Sequence, residues 1–405
     1  MSSADVSRWS RAFVAAGVCF FVAWQAAAVA GYGRRVTVAL GLYGFVFHVV
    51  FGKAYALVPS YFERELAVPR AMALHFALAV LGVGGLVAGA LGVGPSAVGS
   101  AGAAAWSLGC LVFVGALGWT VRDNPTGAET GTGDVNAHRR RTDRAANAFV
   151  PVVILYVLAG AALLVLERGP DSLVRGLEAG AAIGVDVGIG GPAVSHLFAA
   201  GAGTLLVFAI GFRLLPRFLV VTPRPALVAL VLPAGAVAPA LLAADFLGGV
   251  AFRLGATLQA IAVVGFAIAY ADMYRRTDRD RVGFHAVLLG TLCGIGAIAL
   301  GLHIAFAGFN PAVVEAHYRL ALAGFLGLTI VGVSYQFYPP AIGTTFGVGD
   351  RSALLAAGLL FAGLVLEAAG AIGDLPSLAA GGTLVGFAGA VLYAFVVLSL
   401  FLEQR

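Results

Sequence analysis

Long apolar runs broken by short stretches of arginine, glycine and proline dominate the chain. Read between those breaks, they predict about twelve helices, near 11–31, 35–62, 67–92, 97–121, 147–167, 191–216, 224–245, 249–274, 283–307, 313–339, 352–373 and 378–402. Crossing the hydrocarbon core of a bilayer takes ~20 helical residues, and several of these runs exceed that length. The expected fold class is therefore an all-α polytopic membrane protein with a single membrane domain over 1–405. The first run follows Arg8 and Arg11 and so has the look of a signal peptide. It is long, however, and eleven more follow, so an uncleaved first helix is expected.

Composition agrees. Of the 405 residues, 60% are apolar, 56 are glycine and 11% are charged, against roughly 25% charged in ordinary soluble proteins. A soluble enzyme, a nucleic-acid-binding module and a disulfide scaffold are all excluded by these proportions. Cys19, Cys110 and Cys293 lie in apolar segments without a CxxC or CxxCH pattern, so neither a disulfide framework nor a covalent c-type heme is encoded.

Positive charge comes almost wholly from arginine, Lys53 being the one lysine. Counted on alternate sides of twelve spans, seventeen arginines fall on the side of the termini and even connections. Only Arg34, Arg35, Arg168, Arg175 and Arg253 fall on the other. By the positive-inside rule both termini are expected in the cytoplasm, with the chain multi-pass in the cytoplasmic (inner) membrane. The connection 122–146, with the run His138 to Arg141, reads as a solvated cytoplasmic loop, and His138 carries no functional expectation. The connection 168–190 is rich in glycine.

An internal repeat comes next. The second span ends in Tyr55-Ala-Leu57-Val-Pro59, the sixth in Phe212-Arg-Leu214-Leu-Pro216 and the tenth in Tyr335-Gln-Phe337-Tyr-Pro339. Each is the second helix of a group of four, which predicts three pseudo-equivalent four-helix units, about 1–122, 146–275 and 281–405, with a loop over 123–145.

Ionisable side chains inside the hydrocarbon need partners and mark candidate sites. Six histidines fall in or at the ends of spans. His75 and His285 follow arginines at the starts of the third and ninth spans and read as interfacial anchors. His196 and His317 stand at the outer ends of the sixth and tenth spans, twenty and twenty-two residues before the terminal prolines. They share a depth at which two facing helices can present imidazoles to one buried cofactor.

The segment Ala316-His317-Tyr318-Arg319, followed by Gly324, Gly327, Gly332 and Tyr335-Gln-Phe-Tyr-Pro339, resembles helix 10 of the catalytic subunit of heme-copper oxidases, in the branch of the cbb-type oxidases and nitric oxide reductases. Ser195-His196 to Leu215-Pro216 is similar to that family's helix 6, whose histidine binds copper. Twelve helices, both termini inside and ligands near the outer face also match. The resemblance implies that His317 holds the iron of a b-type heme and that His196 is a distal or vestigial copper ligand.

The chain departs from the pattern in ways that carry meaning. The family has a second histidine two residues after the first, turned by ~200° to serve another heme; here that position is Arg319. The partner ligand on helix 2 falls at Val38. Helix 7, which supplies two copper ligands in the family, reads Pro233-Ala-Gly235-Ala236-Val237-Ala238-Pro239. The low-spin heme and copper are therefore not expected. His48 lies ten residues further in than Val38 and is either a buried hydrogen-bonded side chain, paired with Lys53 or Tyr55, or a metal ligand. His303 stands where it could join His196 and His317. Arg319 needs a counter-charge, either a heme propionate or Glu315 one turn earlier. The other buried acids, Asp245, Glu367 and Asp374, read as lying near helix ends and form no proton path across the membrane.

These residues imply a heme-copper-oxidase-like protein that binds one heme b. Its expected role is sensing, scavenging or electron transfer with NO or oxygen as gas ligand, without a complete terminal oxidase site. The alternative is a cofactor-free transporter or an assembly partner of a respiratory subunit on the same fold. Expected partners are the lipid bilayer, a small gas and such a subunit, with no nucleic acid.

Overall fold

The computed structural model describes residues 3–168 and 191–403. The glycine-rich connection, with Arg175, and the terminal Arg405 lie outside the described residues. Among the described residues twelve helices are long and apolar enough to cross a membrane, and there is no strand. We number them α1 (Ser3–Val29), α2 (Arg34–Tyr61), α3 (Ala71–Leu91), α4 (Val98–Val121), α5 (Val150–Arg168) and α6 (Gly191–Leu219). They continue as α7 (Pro225–Ala244), α8 (Val250–Arg276), α9 (Val282–Ala307), α10 (Pro311–Phe337), α11 (Asp350–Ile372) and α12 (Pro376–Glu403). The chain is a multi-pass membrane protein.

Local chemistry sets the boundaries. α10 starts where Asn310 accepts hydrogen bonds from the backbone N–H groups of Ala312 and Val313 through its side chain, satisfying two donors that a helix start leaves open. Pro311 follows at the first helical position, where its missing N–H costs nothing. α3 stops at Gly92, whose φ of +66° lies in the left-handed region that glycine enters freely.

Sequential neighbours pack as hairpins, α3 with α4, α7 with α8 and α11 with α12. Small residues let them approach. A Cβ at Gly363 of α11 would lie 2.5 Å from the backbone nitrogen of Gly386 in α12, so the two helices touch main chain to main chain, as membrane helices without a hydrophobic drive between them commonly do.

α2 and α10 are the most enclosed spans, and α2, α6 and α10 meet at the centre. All three carry a π-helical segment: Ala39–Val46, Leu197–Thr204 and Leu320–Leu328. Each segment begins 19 or 20 residues before its helix's terminal proline, Pro59, Pro216 or Pro339. Such segments widen the helix locally and often stand at functional sites.

Most residues of the connection 122–146 are exposed, as its polarity leads one to expect, but an inward-facing set is not. Asn124, Thr130, Thr132 and Asp143 are buried, as is Asn147 just after them. Arg213 of α6 donates to the carbonyl oxygens of Tyr61 (2.8 Å) and Thr130 (2.7 Å) and to Asn147 Oδ1 (2.6 Å). Asp143 accepts from Arg217 at 2.6 Å and from Thr132 Oγ1 at 2.5 Å. The loop is drawn in because two arginines of α6 end there and need acceptors; it closes this end of the bundle.

Candidate functional site

At the opposite end, where α2, α6 and α10 begin, a cavity of about 450 Å³ opens between helices. That size suits a ligand of several rings. Its walls are mainly aliphatic and aromatic, including Leu42, Phe246, Phe252 and Phe325, and Arg34, Arg35, Glu167 and Arg168 stand among its lining residues at helix ends. All three π-helical segments contribute, through Tyr43, Ala200 and Leu322 among others.

His196 and His317 line this cavity together. Their ring centres are 6.3 Å apart and the planes are parallel to within 8°. Nδ1 of His196 lies 2.7 Å from the carbonyl oxygen of Pro192, one turn earlier on its own helix. Nδ1 of His317 lies 2.8 Å from the carbonyl oxygen of Ala297 on α9. A carbonyl only accepts, so each Nδ1 carries the proton and each Nε2 is left with its lone pair, the form in which imidazole binds metals. Gly301 makes room for the second ring: a Cβ there would meet His317 Cε1 at 3.1 Å. Phe246 packs on His196 with ring centres 4.9 Å apart. The buried Oε1 of Gln259, another lining residue, has no hydrogen-bond partner, a cost of ~1–3 kcal/mol unless a guest supplies a donor.

The other sequence candidates sit elsewhere. His303 is exposed near the end of α9 and does not line the cavity, so the cluster of three expected with His196 and His317 does not form; helical phase turns it outward while Gly301 faces the ring. Among the described residues no group of three His, Cys, Asp or Glu side chains is poised to hold a metal ion.

His48 is fully buried, and its Nδ1 donates to the carbonyl oxygen of Tyr43 at 3.0 Å. The expected partners are engaged otherwise. Lys53 donates to the hydroxyl of Tyr338 at 2.7 Å, and Tyr55 pairs with Nδ1 of His75 at 3.0 Å. That contact corrects the reading of His75 as an interfacial anchor: it is buried among Phe13, Phe51 and Phe113, because it faces α2 and α4 rather than the membrane surface. His285 is half-buried at the start of α9, its Nδ1 3.3 Å from the carbonyl oxygen of Arg281.

Arg319, two residues after His317, points away from the cavity into a buried slot between α1 and α11. Glu367 binds it through two oxygens, at 2.6 Å and 3.0 Å, and Gln25 accepts a third hydrogen bond at 2.7 Å. Trp24 lies beneath, its ring centre 5.1 Å from the guanidinium carbon. The counter-charge is therefore neither Glu315 nor a ligand at the cavity. Glu315 instead pairs at 2.7 Å with Arg34 at the mouth. Glu367 stands five residues before the end of α11 at Ile372, in line with its expected place near a helix end, and is buried. Val38 does line the cavity.

Sequence reasoning passed over Tyr43, Gln259 and Arg35 as lining residues and Arg213 as a buried cation. Arg213 was the findable one, since an arginine inside an apolar run requires partners. Compared with protein-family models and with curated proteins, the chain finds no match.

Proposed function

We propose that the chain binds a single b-type heme in this cavity through His317, with His196 across from it. On this reading it is a heme-copper-oxidase-like membrane protein without a complete oxygen-reducing site, serving gas-ligand sensing, scavenging or electron transfer. The observation that carries the reading is the pair of parallel imidazoles, delivered from two helices to one apolar cavity with both Nδ1 protons tied to carbonyl oxygens. A porphyrin brings four nitrogen donors of its own, so two histidines suffice where a bare ion would need a third side chain.

The remaining residues suit that guest. Apolar walls accept the macrocycle, and Arg35 and Arg168 line the mouth at which its carboxylates would meet positive charge. The α2 position of the family's second heme ligand is Val38, and the corresponding face of α10 is filled by the Arg319, Glu367 and Gln25 cluster, which supports loss of the low-spin heme. When bound, a heme supplies an iron that exchanges single electrons and takes gas ligands. The protein's own part is to orient the two imidazoles, keep water from the apolar walls and hold the propionates. The arginine asymmetry supports termini on the cytoplasmic side of the inner membrane.

Expression with ample heme, purification in detergent and a pyridine hemochrome assay test the proposal. Heme b near one per chain, lost in His317→Ala, is the expected result. A folded, colourless protein that moves a solute would overturn it in favour of a cofactor-free transporter.

A further inference from the structure

His196 and His317 are both held as ligands are, His317 the more firmly because its anchor comes from a neighbouring helix. Both rings have Nδ1 fixed by a carbonyl, at 2.7 Å and 2.8 Å. Both therefore offer an Nε2 lone pair, with no protein donor engaging it. The planes differ by 8° and the ring centres lie 6.3 Å apart. Two metal–imidazole bonds of ~2.0–2.1 Å, added to the half-width of each ring, span about this distance. A gap meant for a gas molecule as well as an iron would have to be wider.

Resting on the heme reading above, we infer that both imidazoles ligate the same iron, one from each side, making a six-coordinate centre. The anchors argue for this in energetic terms as well. Each ring has its orientation set before the guest arrives, His317 by α9 and His196 by its own helix and by Phe246, so little ordering entropy opposes the second bond. Such a centre has no vacant position. It passes single electrons readily, and a gas reaches the iron only by displacing a histidine. The function class narrows from gas binding to electron transfer, with His196 as the ligand that decides between them.

The test uses the full chain, loaded with heme in the cell or with hemin added to the purified protein. The expected ferric form is low-spin by optical and electron paramagnetic resonance spectra, and the ferrous form responds little to carbon monoxide. His196→Ala keeps its heme, loses the low-spin signal and binds carbon monoxide; added imidazole restores the low-spin form. His196→Gln, closer in size, gives the same result if the alanine variant folds poorly. A wild-type protein that is high-spin and binds carbon monoxide as the variant does would overturn the six-coordinate assignment and leave the heme reading standing. Failure of every form to take up heme would overturn both.

Discussion

Replacing Glu367 by glutamine probes the cluster that occupies the far side of α10. In the wild type, Arg319 and Glu367 are 5% and 8% exposed. Their ion pair is bidentate at 2.6 Å and 3.0 Å, with Gln25 at 2.7 Å. The substitution keeps one acceptor and the side-chain volume but leaves the guanidinium without its counter-charge. Removing one partner of a buried pair costs ~3–5 kcal/mol, and the surviving acceptors put this case near the lower end. An arginine left at depth is also penalised by ~2.5–3.5 kcal/mol on insertion scales, in line with that figure. The assay is unfolding in detergent, by heat or by a denaturing surfactant, read as loss of helicity or of monodisperse protein. The companion is Arg319→Met with Glu367→Leu, which removes both charges and fills the slot. Because desolvation opposes the pair itself, this double variant should fall within ~1 kcal/mol of wild type or exceed it. A Glu367→Gln protein as stable as wild type, or a double variant less stable than the single one, would refute the account of this cluster.

Three further outcomes are expected. Asp143→Asn removes the carboxylate shared by Arg213 and Arg217; it should destabilise the closed end by ~3 kcal/mol and speed protease cleavage within 122–146, measured by limited proteolysis against wild type. Gly363→Val places atoms against the backbone of Gly386 and should cost ~1–3 kcal/mol through overpacking, seen as a lower melting temperature with the heme spectrum retained. Arg35→Gln, at the solvent-exposed cavity mouth, should weaken heme retention by the worth of one exposed ion pair, ~0.2–1 kcal/mol, measured as faster transfer of heme to a scavenging apoprotein.

The spans were legible because lipid imposes a one-dimensional signal: length of apolar run, then arginine. α10 shows how good the limits were, with 313–339 expected and Pro311–Phe337 found; the Asn310 and Pro311 start accounts for the difference at its head. The pairing of His196 with His317 in depth was legible from their distances to Pro216 and Pro339. What lay beyond reach was contact between distant segments. Nothing local to Arg319 says that its partners are Gln25 and Glu367, 294 and 48 residues away, and proximity in sequence pointed to Glu315 instead. The π-helical segments were invisible for another reason. Their residues, such as Leu40-Gly41-Leu42, have no composition that separates i+5 from i+4 bonding. The loop 122–146 was legible as largely exposed, but its inward side was not, because polar groups such as Asp143 and Thr130 that face Arg213 and Arg217 are as well satisfied by protein as by water.

The heme itself is the central claim, and its stoichiometry in the purified chain tests it most directly. Protein expressed with ample heme should carry about one heme b per chain, with a Soret band that vanishes in His317→Ala while the helical fold survives. Colourless wild-type protein under the same conditions, or a His317→Ala variant with an undiminished Soret band, would contradict it.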